Sequence, residues 1–384
     1  MPLPVFALAL TAFALGTAEL VPNGLLPLIG QGLGVDVSAA GWVTTSFALG
    51  AMLGGPVVAA ATLRLPRKPL VLALTAVFLA ANAGTALAHT LLVIGICRGV
   101  AGAMLGGFLG TAITVATGLV APGRRATAIA VVFTGFTVSN VIGVPVGNLA
   151  GRADGWQAAF WIVSGLAALG LLAMAVVLPN REPAREDDGG LRVLRNGPLW
   201  YAFLAIALGY GGLFVAYTYI APFLTDVTGV APRDVTWILL LFGAGLIAGN
   251  TLGGRFADRS VVATVLVILT VLVAGLVALW VLGPVAYAVL VLLIFLGAAG
   301  FGMVPPLQSY VIHVAGTASA VVSALAAAAF NAGVAFGSGL GGAVLDIRPD
   351  FRLLPVLGAA VTSLGVGAFL LAYAKSRAPQ ANRR

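Results

Sequence analysis

Between Ser260 and Leu345 the chain runs for 86 residues without an Asp, Glu, Lys or Arg. A charge facing lipid costs several kcal/mol, and about 20 apolar residues suffice to cross a bilayer. A run of this length therefore has room for several membrane crossings and reads as nothing a soluble domain would tolerate. Charged residues make up 8% of the 384 positions, against about 25% in a typical soluble domain. That shortage excludes a water-soluble enzyme, a nucleic-acid-binding domain and a disordered chain. The net charge of +8 is spread too thinly for a nucleic-acid surface. One cysteine, Cys97, leaves no internal disulfide possible.

Charge-free stretches predict twelve spans, near residues 4–28, 38–62, 69–89, 91–118, 125–148, 156–178, 199–224, 235–254, 261–282, 285–308, 317–343 and 353–374. The long run divides at Gly283-Pro284 and between Pro305-Pro306 and Gly316, which makes His313 a loop residue. A β-barrel is excluded, because its strands are short and alternating. The fold class is an all-α membrane protein. Fifteen Lys and Arg fall in the even-numbered connections and the tail, against four (Arg152, Arg233, Arg348, Arg352) on the other side. The positive-inside rule then places both termini in the cytoplasm. The first apolar run lacks a basic leader and reads as a retained helix.

Sliding the sequence by 195 residues brings Gly34-Val35, Trp42, Phe47, Gly50 and Gly54 onto Gly229-Val230, Trp237, Phe242, Gly245 and Gly249. Pro27 meets Pro222, and Arg64 meets Arg259. The Trp, Pro, Phe and Arg pairs in one register argue for a true repeat, since glycine matches alone are cheap in a chain with 51 glycines. A shift of six spans preserves direction, so the repeat is parallel. Two such halves imply a transporter with a substrate site between them near the midplane. The division is 1–178, a polar cytoplasmic linker 179–198, and 199–384 with a short basic tail.

Two charges fall inside the spans: Glu19 and Arg98. At 1.5 Å per residue they lie about 13 Å and about 10 Å from the same end. They are candidates for a proton site, as a direct ion pair or through shared water, or for a structural buried pair. Burial and a nearby guanidinium act in opposite senses on a carboxyl, so a small change in geometry would switch its protonation. The residues 195 positions on are Phe214 and Leu293, so helix packing common to both halves does not require the charges. Asn23, one turn beyond Glu19 on the same face, joins the candidate cavity list. So do Tyr210, Phe214 and Tyr217 at helical spacing, together with Asn140, Gln308 and Asn331. The alternative for each is ordinary helix packing or a hydrogen bond to a neighbouring helix.

Gly337-Ser338-Gly339-Leu340-Gly341-Gly342 spells a dinucleotide motif, but it lies in an apolar helix without a βαβ unit. Its glycines at spacing four read as a close packing face. No Walker loop, HExxH, GxSxG or CxxC is present, which leaves ATP-driven pumping and proteolysis without visible machinery.

With these residues in view, the chain resembles the major facilitator superfamily over nearly its whole length. Within it, the likeness is to the twelve-helix drug:proton antiporters, among them bacterial sugar-efflux and chloramphenicol-resistance permeases. The resemblance is carried by Gly16-Thr17-Ala18-Glu19-Leu20, Tyr217-Thr218-Tyr219-Ile220-Ala221-Pro222, Val304-Pro305-Pro306-Leu307-Gln308 and Phe330-Asn331-Ala332-Gly333. It implies a cytoplasmic gate motif at Gly254-Arg255-Phe256-Ala257-Asp258-Arg259. A degenerate copy keeps Arg64, Arg67 and Lys68, with Leu63 in the usual Asp position. It also implies that Arg98 takes part in proton transfer, and that Gly143, Pro145 and Gly147 of the fifth helix let it bend, with Val144 departing from the motif.

The expectation is a secondary transporter of the bacterial cytoplasmic membrane, exporting a small drug-, sugar- or nucleoside-like molecule against protons by alternating access. It would work as a monomer among lipids, with no cofactor, no metal and no nucleic-acid partner. Import by symport or facilitation stays open, as, remotely, does a non-transporting scaffold.

Overall fold

The computed structural model describes residues 1–61, 65–121, 124–179, 196–315 and 320–381. Among the described residues there is no strand, and twelve helices are long and apolar enough to cross a membrane. They are α1 (Leu3–Gly24), α2 (Val37–Val58), α3 (Arg67–Leu87), α4 (Leu91–Gly118), α5 (Thr127–Ala153) and α6 (Gln157–Val177), followed by α7 (Gly197–Tyr217), α8 (Pro232–Ala257), α9 (Val261–Leu282), α10 (Ala286–Ala315), α11 (Val322–Ile347) and α12 (Leu353–Ser376). Contacts gather them into two compact units, Met1–Glu186 and Asp187–Arg384.

Each unit uses the same pairings. In the first, α2 packs on α4, α1 on α5 and α6, and α3 on α4 and α6. In the second, α8 packs on α10, α7 on α11 and α12, and α9 on α10 and α12. Lipid tails are as apolar as Leu side chains, so close packing of small residues has to hold such helices together. The glycines supply it in matching register. A Cβ on Gly50 or Gly54 would strike Gly99 or Ala103 of α4, and a Cβ on Gly245 or Gly249 would strike Ile294 or Ala298 of α10. Gly102 likewise abuts the Phe47 carbonyl, and Gly297 the Phe242 carbonyl. Every one of these contacts is carried onto its counterpart by the 195-residue shift. The outward faces stay apolar. Trp42 and Trp237, the repeat's tryptophan pair, are 54% and 58% exposed.

Prolines decide where the spans depart from regular helix. The first span is expected to run unbroken to residue 28. It is instead helical from Leu3 to Leu20, tightens to a 3-10 turn at Val21–Gly24, and resumes at Leu26–Leu33. Pro22 and Pro27 each withhold an N–H from the i→i−4 ladder. The seventh span breaks in the equivalent place, after Tyr217, before a short Ile220–Pro222 turn. The expected gap at Pro305-Pro306 is wrong. Both prolines sit in the first turn of a helix from Val304 to Ala315, where their missing donors cost nothing, and His313 is helical. Arg152, expected in a connection, belongs to the last turn of α5.

Candidate functional site

In the N-terminal unit, polar groups collect around the break in α1. Glu19 lies in the last helical turn before it and is partly buried. Arg98, seven residues from the end of the preceding loop, is completely buried on α4. Its Nε–H donates to the Val43 carbonyl at 3.1 Å. Its guanidinium carbon lies 4.2 Å from the Phe47 ring centroid and 5.6 Å from that of Phe160. A desolvated contact of the closer kind is worth about 2 kcal/mol. Both terminal nitrogens of Arg98 are buried without a hydrogen-bond partner. Glu19 and Arg98 interact electrostatically. No ion pair joins them, however; among the described residues the only one is Arg233 with Asp234, at the surface. The direct pair weighed from the sequence is therefore not formed here.

Asn23 does not continue the helical face of Glu19, because the chain has already tightened into the 3-10 turn. Its Oδ1 accepts from the Thr44 hydroxyl at 2.7 Å, while its Nδ2 is buried and unpaired. Val43 and Thr44 thus tie α2 to Arg98 on one side and to the α1 break on the other. Beyond the break, Arg152 donates from Nη2 to the Gly24 carbonyl at 3.1 Å, which meets an acceptor freed by the interrupted ladder. Asn148 lies against Gly24, fully buried, with neither amide atom paired.

The glycine face of α5 lines the other side of α1. A Cβ on Gly143 would meet Thr17, and one on Gly147 would meet Val21, which brackets Glu19. Here α5 opens into a π-turn at Ser139–Gly143 with Pro145 directly after it. The Val144 N–H reaches the Ser139 carbonyl, the i→i−5 bond that defines the turn. Asn140, within that turn, donates to the Phe136 carbonyl at 3.3 Å and keeps a buried, unpaired Oδ1.

The C-terminal unit carries rings where the other carries charge. Tyr210, Phe214 and Tyr217 of α7 are all buried and touch in sequence, with centroids 5.0 and 5.7 Å apart. Tyr210 meets Phe330 edge-on at 5.2 Å, and Tyr217 stacks on Phe242 at 3.9 Å. Gln308 and Asn331 are partly buried. Asn331 donates to the Ala327 carbonyl of its own helix at 3.0 Å, not to a neighbouring helix. Of the gate residues, Arg67 and Lys68 open α3, and the Arg67 Nε is buried and unpaired. Asp258 and Arg259 are exposed just past α8. Arg64 lies outside the described residues.

The sequence reading missed Thr44, Asn148 and Arg152. Asn148 fell on the expected last residue of a span and Arg152 just past it, so both passed as loop-edge residues. Phe47 was visible only as a register mark of the repeat.

Twelve membrane-crossing helices in two six-helix units, with few polar groups deep inside, define a multi-pass membrane transporter. Residues 8–324 and 214–384 match the Major Facilitator Superfamily. The chain is 34% identical over 376 residues to the inner membrane transport protein YdhP of Escherichia coli (strain K12), covering 97% of this chain and 96% of that one. It is 36% identical over 343 residues to a chloramphenicol resistance protein of Streptomyces lividans, covering 88% of each. It is 28% identical over 382 residues to a probable sugar efflux transporter of Mannheimia succiniciproducens, covering 98% and 95%. A crystal structure of a mutant of the nucleoside transporter NupG superposes with a TM-score of 0.74 over 97% of this chain and 99% of that one, at 14% identity; that likeness speaks to the fold. The chain belongs to the Major Facilitator Superfamily and is a transporter, not an enzyme.

Proposed function

We propose that the protein is a proton-coupled exporter of a small amphipathic or polar molecule, working by alternating access with both termini in the cytoplasm. One observation carries the reading: a carboxyl and a guanidinium stand deep within the spans of one unit, and the repeat-related positions of the other hold Phe214 and Leu293. Ionisable groups at that depth mark ion or substrate pathways. Glu19 is the group that takes and releases the proton, and Arg98 is the permanent charge that responds to it. The proton gradient is the energy source. The buried rings of α7 suit an uncharged or singly cationic substrate better than a polyanion. The names of the chloramphenicol-resistance and sugar-efflux relatives support export of that chemistry, and a single chain supplies both halves.

The test is transport in vesicles reconstituted with the purified protein under an imposed pH gradient, with chloramphenicol, arabinose and uridine as probes after growth assays on a wider panel. Flux should follow the sign of the gradient in the wild type and lose that dependence in Glu19→Gln. Flux indifferent to the gradient and unchanged in Glu19→Gln would sink proton coupling. Accumulation in right-side-out but not everted vesicles would favour import instead.

A further inference from the structure

A guanidinium has five N–H donors in a planar fork, which suits it to grip a carboxylate with two parallel bonds. Arg98 uses one donor, Nε–H on the Val43 carbonyl, and leaves both terminal nitrogens unpaired in a fully buried position. What holds the charged plane is an aromatic face, Phe47 at 4.2 Å, with Phe160 farther off at 5.6 Å. Of the elements around it, α5 packs on both α4 and α1 and carries Arg152 in its last turn, where Nη2 donates to the Gly24 carbonyl. α2 from Trp42 onward and α6 carry none, and α3 carries Arg67 and Lys68 at its opposite end. Glu19 of α1 is the one acid whose charge Arg98 senses, and it stands apart.

We propose that Phe47 is a positioning residue for proton coupling: its ring holds the Arg98 guanidinium while Glu19 carries a proton, and Arg98 moves from that ring to the Glu19 carboxylate when the proton leaves. A second partner is what a buried guanidinium needs to change hands without being stranded. The face of an aromatic ring attracts a cation without demanding its N–H groups, so the fork stays free for the carboxylate. The step balances as a proton transfer: the Glu19 O–H bond breaks, the proton passes to water, and the carboxylate accepts from the two terminal nitrogens of Arg98. The repeat supplies an internal control. At Phe242, the counterpart of Phe47, the ring stacks on Tyr217 and meets no cation among the described residues.

This inference rests on Glu19 being the proton carrier, and the experiment separates the two. The full-length protein is placed in phosphatidylcholine vesicles with phenylalanine, mono-, di- or trifluorophenylalanine at position 47. Fluorine drains the ring face of negative charge and barely changes its shape, so a packing role is left intact. The carboxyl stretch of Glu19, identified as the infrared band lost in Glu19→Gln, is followed through a pH titration. The proton should be released more readily with each added fluorine, by up to roughly tenfold across the series. The dependence should vanish in an Arg98→Met background and be absent when the same series is placed at position 242. A titrating Glu19 band that ignores fluorination at position 47 overturns the role of Phe47. A Glu19 band that does not respond to pH at all overturns the proton-carrier reading, and this one with it.

Discussion

The two six-helix units share a skeleton and differ in what they place on it. In the N-terminal unit the Phe47 ring lies under the Arg98 guanidinium at 4.2 Å. In the C-terminal unit the counterpart, Phe242, lies against the Tyr217 ring at 3.9 Å with planes 19° apart. Around both phenylalanines the backbone contacts match, with Gly102 against one carbonyl and Gly297 against the other. Backbone approach through glycine does not depend on the side chains nearby. A duplicated scaffold can therefore keep its packing while one copy acquires charge and the other acquires rings. Under the proposed function, the contrast separates the groups that would answer to protons from those that would meet an uncharged or singly cationic substrate.

The contrast breaks most sharply at the charges. Arg98→Met should lower gradient-driven flux by about 5- to 150-fold, since a coupling between two sites is typically worth about 1–3 kcal/mol. Leu293→Met, the same exchange of a buried position in the other unit, should leave the pH dependence of transport intact. Equal losses in both variants would show that Arg98 matters only for packing. The shared skeleton makes the opposite claim, that matched changes have matched effects. Gly50→Leu and Gly245→Leu each drive a side chain into a backbone carbonyl, and overpacking of this kind costs about 1–3 kcal/mol or more. Thermal unfolding in detergent should show comparable drops in Tm for the two. A drop in one alone would mean the repeat is geometric without being energetic.

Smaller effects sharpen the division of labour. Tyr217→Leu removes the stack on Phe242, an interaction worth about 1 kcal/mol beyond its buried area. The half-saturating substrate concentration should rise about fivefold while the gradient dependence stays put; a changed pH profile would place Tyr217 with the charges. Thr44→Val deletes the hydrogen bond to Asn23 and leaves an amide oxygen buried. The expected cost is about 1–2 kcal/mol, read as a few-fold slower transport with coupling preserved. No change in rate would make that bond incidental to the α1 break.

Much of the fold was legible because lipid imposes a simple rule. Charge-free runs located all twelve spans, and their boundaries moved by only a few residues at most ends. The errors fell at proline. Pro22 broke a span expected to be continuous, whereas Pro305 and Pro306 opened a helix where a gap was expected. A proline's effect depends on whether its missing N–H was needed, and that depends on where the turn begins. At the site, Glu19 and Arg98 stood out by their depth, because scarcity makes a buried charge conspicuous. Asn148 and Thr44 did not, since nothing local distinguishes a buried amide or hydroxyl from one at a loop edge.

The amino-acid sequence by itself determined that this chain lives in a membrane as twelve helices, that the second half repeats the first in direction and register, and that two charges lie deep in one half. Those conclusions follow from the cost of charge in lipid and from spacing along the chain, both of which are local or periodic. Only the tertiary structure decided whom those charges meet. Arg98 rests on a ring 51 residues earlier in the chain and a carbonyl 55 residues away, with no ion pair to Glu19. Partner choice in a bundle is set by which helix faces come together, and no pattern within a single helix encodes that.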